Sequence, residues 1–232
     1  MGKTVVLLSG GIDSTTCLGY ACEEEGRENI IALSILYGQK HCKELICAEQ
    51  VAKFYGIERK VLDLSEIMKF SNSPLLSKSS IEIRHESYAE QIKKDGEGMV
   101  DTFVPFRNGL LLSTAASIAM SLFPKEEVTI YYGAHKDDAA GRAYPDCSNE
   151  FVAPMAAAIK EGSGGFLKLR APFINNSKKE IIKLGLELSV PYSLTWSCYE
   201  GDEFACGTCA TCIDRKAAFH QNNVADPIKY AK

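Results

Sequence analysis

The hydrophobic pattern opens with a short β-branched and leucine run, Lys3 to Leu8, closed by Ser9-Gly10-Gly11. An unbroken apolar run of that length between turn residues predicts a fully buried strand. Ser14 to Glu25 predicts the helix that follows, and Ile30 to Leu36 a second buried strand. His41 to Tyr55 predicts a helix stopped by Gly56, and Arg59 to Leu64 a third strand. Strand, helix, strand, helix, strand with short links is the rhythm of a parallel α/β sheet. The rhythm breaks from Ser65 to Thr102, a polar stretch holding Ser71-Asn72-Ser73-Pro74 and Gly96-Glu97-Gly98. A loop of that length reads either as a flexible insertion or as a lid. Order returns at Val104. Asn108 is expected to cap a helix from Gly109 to Leu122, apolar nearly all round and therefore buried. Val128 to Tyr132 predicts a fourth strand, Gly133 to Cys147 a loop, Asn149 to Lys160 a helix and Phe166 to Ala171 a further strand. Ser177 to Glu180 is a capping box opening a helix to about Leu188. Pro191 to Cys212 is irregular and cysteine-rich, and Cys212 to His220 predicts a last helix.

Composition narrows the class. A chain of 232 residues buries roughly 70–75% of its unfolded surface, so no disulfide scaffold is needed. Hydrophobic residues at 46% and charged residues at 24% exclude intrinsic disorder. No apolar run approaches the ~18 residues of a membrane span, and the N-terminus lacks the pattern of a signal peptide. A cytoplasmic protein is expected, with reduced thiols. The nine cysteines then read as free thiols, metal ligands or a redox site. The net charge of −4 argues against a protein whose main task is gripping a phosphate backbone.

Ser9-Gly10-Gly11-Ile12-Asp13-Ser14 lies directly between the first strand and its helix. Two glycines let backbone N–H groups approach a ligand, and the helix adds the positive end of its dipole. Such a site suits phosphate or pyrophosphate. It is not a Walker loop: Gly2-Lys3-Thr4 precedes the strand and has no glycine upstream. The glycines from Gly162 to Gly165 follow a helix and read as a connector. The six residues resemble the signature of the PP-loop ATP pyrophosphatase superfamily. That resemblance implies cleavage of ATP between its α- and β-phosphates, leaving an adenylated substrate and pyrophosphate. Asp13 would repel a triphosphate, so its sensible roles are magnesium coordination or orientation of the loop.

Cys198, Cys206, Cys209 and Cys212 follow the spacing C-x7-C-x2-C-x2-C. Four thiolates so close can enclose a tetrahedral ion, zinc in preference to an iron–sulfur cluster. A closed site of that kind is structural, contributing about 10–16 kcal/mol of apparent binding energy. Cys17, Cys22, Cys42, Cys47 and Cys147 share no spacing; Cys17 reads as core packing.

Further segments narrow the superfamily: Tyr37-Gly38-Gln39-Lys40-His41, Val104-Pro105-Phe106-Arg107-Asn108, Gly133-Ala134-His135, Tyr144-Pro145-Asp146-Cys147 and Thr195-Trp196-Ser197-Cys198-Tyr199. With the phosphate loop and the four cysteines, this set resembles the 7-cyano-7-deazaguanine synthase (QueC) family. The resemblance implies a Rossmann-like PP-loop domain over residues 1–190, with 65–102 as insertion or lid, and a zinc-binding segment over 191–232. It implies a ligase that converts 7-carboxy-7-deazaguanine and ammonia to the nitrile in queuosine biosynthesis, working as a homodimer. ATP would be consumed with magnesium, twice per turnover. No nucleic acid and no membrane is an expected partner.

ATP is expected at Leu8, Ser9, Gly10, Gly11, Ile12, Asp13, Ser14, Thr15, Thr16, Cys17 and Leu18. Arg107 is assigned to phosphate or to the substrate carboxylate, and His135 and Asp146 to the substrate pocket. Asp13, Ser14, Arg107 and Lys136 are assigned to the chemical step, Lys136 as the charge that neutralises departing AMP. His41 reads either as a proton shuttle or as a helix-start residue. The stretch from Asp137 to Arg142 is longer than the family pattern, so no role is carried onto Asp137 or Asp138. The alternative reading is a PP-loop enzyme that modifies tRNA directly, which the missing basic stripe disfavours. A third is a non-catalytic ATP-binding or zinc-tethered module, against which Ser9, Asp13 and Ser14 count.

Overall fold

The computed structural model describes residues 2–40 and 43–231. His41 and Cys42, and with them the expected role of His41, lie outside the described residues. Five parallel strands form one sheet: β1 (Lys3–Leu7), β2 (Ile30–Leu36), β3 (Glu58–Asp63), β4 (Val128–Tyr131) and β5 (Leu167–Arg170), in the order β3-β2-β1-β4-β5. The strands match the apolar runs to within a residue or two. The central strand is apolar on both sides because both sides are covered. Val5 and Leu7 point to one face, against α5 (Arg107–Leu122) and α7 (Asn149–Gly162). Val6 and Leu8 point to the other, against α1 (Ile12–Glu25), α2 (Lys43–Tyr55) and α8 (Lys178–Glu187). Cys17 is in that second layer with no exposed surface.

Three expectations need correction. The stretch from Ser65 to Thr102 is not featureless. It holds two short helices, α3 (Ser65–Met68) and α4 (Tyr88–Asp95), the second opened by a capping box between Ser87 and Glu90. Leu75, Leu76 and Ile83 are buried against Trp196, Cys198 and Cys209, so the segment is docked on the cysteine-rich stretch. Asn108 does not cap α5. The helix begins two residues earlier, behind Phe106 in the left-handed region (φ 52°), and Asn108 is buried inside the first turn. The cap comes from a distant segment, because Asp146 Oδ2 accepts from Asn108 N at 3.1 Å. Nor is α5 buried all round. Leu112, Ala115 and Ala119 face the sheet, while Met120 and Leu122 are exposed.

Between α5 and α7 the chain forms α6 (Lys136–Ala139) and a tight turn at Pro145–Cys147. The C-terminal stretch ends in α9 (Ala210–His220). It is anchored by Arg215, whose side chain has no exposed surface. Its guanidinium donates to both Asp226 oxygens, at 2.7 and 2.9 Å, and to Thr195 Oγ1 at 2.9 Å. A bidentate fork satisfies both partners, so the pair holds only while both members are present. Asp226→Ala is expected to lower folding stability by about 3–5 kcal/mol, the cost of an uncompensated buried charge. Urea denaturation of the variant beside the parent protein checks this.

Candidate active site and metal centre

A sheet of this order reverses direction between β1 and β4, and ligands bind outside the carboxyl ends of the strands at such a switch point. A cavity of about 230 Å³ opens there. Its walls include the first turns of α1, α2, α5, α8 and α9, through Asp13 and Ser14, Glu44 and Leu45, Arg107 and Asn108, Lys178, and Thr211.

The phosphate loop forms one edge. Gly10 has φ +92°, and a Cβ there would lie 2.1 Å from Glu44 O and 2.7 Å from Ala48 N. The loop is pressed against α2 and only glycine fits. Gly11 stands at the N-cap of α1 without a side-chain cap, which leaves the helix N-terminus open to a ligand. Ser9 and Ser14 share a hydroxyl contact of 2.9 Å, and Ser9 Oγ accepts from Gly11 N at 3.2 Å. Trp196 N donates to Gly10 O at 2.9 Å, tying the cysteine segment to the loop. Ile12, Thr15, Thr16, Cys17 and Leu18 are buried in the core behind it and do not line the cavity.

Asp13 carries the electrostatics of this edge. Its Oδ2 lies 3.3 Å from Lys178 Nζ and 3.6 Å from His135 Nε2. Burial pushes its carboxyl up, but Lys178 and His135 outweigh burial and hold it well below the usual carboxylate range. Oδ1 is buried without a hydrogen-bond partner. His135 is 1% exposed, with Nε2 3.3 Å from Asp138 Oδ2. Burial lowers its pKa, and Asp138 and Asp13 raise it more, to a net rise. His135 therefore stands behind the carboxylates and not on the cavity wall, whereas Asp138 and Lys178 line it. Lys136 is half exposed, 3.8 Å from Glu180, and does not line the cavity.

Arg107, at the first position of α5, donates to Tyr37 OH at 3.3 Å and packs over that ring. Asp146 is buried, one oxygen capping α5 and the other unpartnered; burial raises its carboxyl despite Asn108 and Arg107. It does not line the cavity, although its neighbour Cys147 does. Glu44 does line it, and burial pushes its carboxyl up to about 7 against the pull of Arg107. Tyr88, Tyr144 and Tyr199 reach the cavity from three separate segments and join through their hydroxyls at 2.7 and 3.0 Å.

The four expected cysteines converge. Every Sγ of Cys198, Cys206, Cys209 and Cys212 lies within 4.8 Å of the others, a donor set fit for a metal ion. Cys198 Sγ accepts from Gly201 N at 3.0 Å and Cys206 N at 3.2 Å, and Cys206 Sγ from Cys209 N at 3.3 Å. Backbone donors aimed at sulfur favour thiolates over thiols. Gly207, in the left-handed region, makes the turn between Cys206 and Cys209.

The chain matches the model of the family described as "Queuosine biosynthesis protein QueC" over residues 3–223. It belongs to the QueC family. It is 42% identical over 228 residues to a protein of Caldicellulosiruptor saccharolyticus named 7-cyano-7-deazaguanine synthase, covering 98% of this chain and 95% of that one. A protein of the same name from Archaeoglobus fulgidus is 40% identical, covering 97% and 89%. Among solved structures, the U34-tRNA thiolase NcsA of Methanococcus maripaludis with its [4Fe-4S] cluster shares the fold. Its TM-score is 0.50 at 18% identity, covering 95% of this chain and 67% of that one. The five-stranded parallel sheet and this shared fold agree with the Rossmann-like PP-loop architecture that the family resemblance implied.

Sequence reasoning assigned no role to Lys178, Glu44, Asp138 or the three tyrosines, although Tyr144 and Tyr199 stand in the segments that carry the resemblance. Lys178 had a signal. A cation at the first position of a helix opposes the dipole, so its presence there calls for a ligand or a partner. Glu44 had none, because an acid in a first turn is what the dipole favours. Gly10→Ala is expected to destabilise the fold by at least about 1–2 kcal/mol, from the left-handed backbone alone. The clash with α2 should also displace the loop and with it Trp196, the one tryptophan of the chain, which bonds Gly10 O; denaturation and a shift in tryptophan fluorescence check the two effects separately.

Proposed function

We propose that the chain is an ATP-dependent carbon–nitrogen ligase that converts 7-carboxy-7-deazaguanine and ammonia to 7-cyano-7-deazaguanine in queuosine biosynthesis. The observation that carries the chemistry is the phosphate cradle: the open N-terminus of α1 beside Lys178, with Arg107 on a further wall of the same cavity. Membership of the QueC family supplies the substrate.

The steps follow from the poor reactivity of a carboxylate. A carboxylate oxygen attacks the α-phosphorus of ATP, the α–β bond breaks, and pyrophosphate leaves. Ammonia attacks the acyl carbon, AMP departs, and the amide loses the extra proton. The amide oxygen then attacks the α-phosphorus of a second ATP, whose α–β bond breaks to release a second pyrophosphate. Loss of AMP and of the remaining N–H protons leaves the nitrile. Each attack builds negative charge near the phosphate loop. The N–H groups of the loop, the hydroxyls of Ser9 and Ser14 and the Lys178 ammonium are fixed in advance to receive it. Lys178 takes the charge-neutralising role expected of Lys136, because Lys178 faces the cavity. The protein supplies alignment and charge, and no covalent nucleophile is needed.

The unpartnered Asp13 Oδ1 suits magnesium accompanying ATP, a hard cation that favours carboxylate oxygen. We assign zinc to the four cysteines, a donor set of sulfur alone with a closed tetrahedral preference. Its chemistry there is structural. Residues 1–190 are taken as the PP-loop domain and 191–232 as the metal-binding segment, with Ser197, Tyr199 and Thr211 reaching the cavity. Among the described residues no helix is long and apolar enough to cross a membrane. A cytoplasmic homodimer working on free base is the setting we infer. Direct modification of tRNA draws only on a shared fold.

Mass spectrometry of a mixture of protein, ATP, magnesium, ammonium and 7-carboxy-7-deazaguanine should detect the nitrile, with AMP and pyrophosphate. Its absence from zinc-loaded protein that binds ATP overturns the reading. Lys178→Ala is expected to lower turnover by about 100- to 1000-fold, and Lys136→Ala far less. Elemental analysis should find one zinc per chain and no iron. A visible absorption band, or metal retained after Cys209→Ser, contradicts the zinc assignment.

A further inference from the structure

Three acidic side chains line the cavity: Asp13, Glu44 and Asp138. Two of them cluster at the phosphate loop. Asp13 is held by Lys178, and Asp138 faces His135. Glu44 differs from both. Among the described residues its carboxylate has no hydrogen bond and no ion pair, although it stands at the first turn of α2 on the cavity wall. Arg107 lines the same cavity, draws the Glu44 carboxyl down against burial, and makes no ion pair with it. Arg107 itself spends one donor on Tyr37 and one on Asn108, leaving N–H groups of the fork unspent.

An unpaired carboxylate on a cavity wall is costly unless a ligand completes it. The chemistry of the missing ligand can be read from the two groups. A carboxylate accepts two parallel N–H bonds, and a guanidinium donates. The Watson–Crick edge of a guanine-like base presents two adjacent donors, N1–H and the 2-amino group, next to one acceptor, O6. This pattern complements Glu44 beside Arg107. Asp146, expected in the substrate pocket, has one oxygen engaged in capping α5 and is off the cavity wall. The reacting carboxylate on C7 lies on the other side of the ring system from the N1 and 2-amino donors. A base held by its donor edge therefore turns C7 away from the group that holds it, and Lys178 and the phosphate loop are the groups assigned to the reacting end.

We propose that Glu44 is the side chain that reads the base, accepting from N1–H and the 2-amino group, with Arg107 donating to O6. This rests on the ligase reading above and adds the specificity determinant to it. The role is discriminating: a substrate without the 2-amino group would leave one Glu44 oxygen buried and unpaired, and such losses are where buried polar sites select most strongly.

The test compares two substrates in two proteins. Wild-type protein and Glu44→Gln are assayed for nitrile formation from 7-carboxy-7-deazaguanine and from its analogue lacking the 2-amino group. Wild type should prefer the full substrate by about 100-fold in kcat/KM. In Glu44→Gln the KM for the full substrate should rise at least tenfold, the preference should fall to within about threefold, and the KM for ATP should stay within twofold. Thermal melting and zinc content establish that the variant is folded. Glu44→Asp, which keeps the charge on a shorter arm, should recover part of the preference. If Glu44→Gln keeps the wild-type KM and the wild-type preference, Glu44 does not read the base. A parallel rise in the KM for ATP assigns Glu44 to the fold of the phosphate loop and also overturns the proposal. Wild-type protein that forms no nitrile from either substrate overturns the ligase reading itself, and the base assignment falls with it.

Discussion

Five helices begin at the same edge of one parallel sheet, and their N-termini surround one cavity. Each contributes part of a positive charge, so the edge is a region of positive potential before any side chain is added. Two first-position residues, Arg107 and Lys178, then add full cations where the dipole opposes them. A folded protein tolerates this only with compensation. Asp13 pairs with Lys178, Asp146 caps α5, and Asp138 faces His135. The carboxylates at this site are in that sense a consequence of the helices. The triphosphate proposed as ligand would meet donors and cations already fixed in place, with no reorganisation needed as charge develops.

The metal segment belongs to the same construction. Trp196 bonds the phosphate loop through Gly10, and Lys43 at the start of α2 lies 3.7 Å over the Trp196 ring. Lys43 also donates to Glu203 O at 2.9 Å within the cysteine stretch. The strand-to-helix loop, α2 and the cysteine stretch are thus locked at one corner. Arg215 and Asp226 brace that corner from below, through Thr195. The stretch has little regular structure and packs through Trp196, Cys198, Ala205 and Cys209; a metal ion held by its four converging cysteines would add a further constraint.

The sheet was legible because its strands are short unbroken apolar runs closed by turn residues, and the phosphate loop because its glycines and serines stand directly between a strand and a helix, with Gly10 where no side chain fits. The cysteines were legible from spacing. What the sequence concealed was everything decided across the chain. The cap of α5 comes from Asp146 rather than from adjacent Asn108. His135 and Lys136 are neighbours of the cavity in sequence, yet one is buried behind Asp13 and the other points away toward Glu180. The docked half of the 65–102 stretch depends on its apolar residues meeting Trp196 and Cys198, a pairing that no local periodicity encodes.

The two cation–carboxylate pairs on the cavity wall differ in a way that separates their work. Asp13 and Lys178 are in contact at 3.3 Å, so each already offsets the burial of the other, and the pair is stiff without a ligand. Such a pair can present a fixed ammonium to phosphate, because its geometry does not wait for the substrate. Glu44 and Arg107 make no ion pair, and each keeps hydrogen-bonding capacity turned to the cavity. Contact between them would satisfy both and leave nothing for a base edge to bind. Their separation leaves both partly unsatisfied in the empty protein, and a ligand with complementary donors and acceptor relieves that cost on entry. Selectivity follows at this end, since a partial match relieves only part of it. On the roles proposed above, the Asp13–Lys178 pair serves rate, and Glu44 with Arg107 serves recognition, on one ring of helix N-termini.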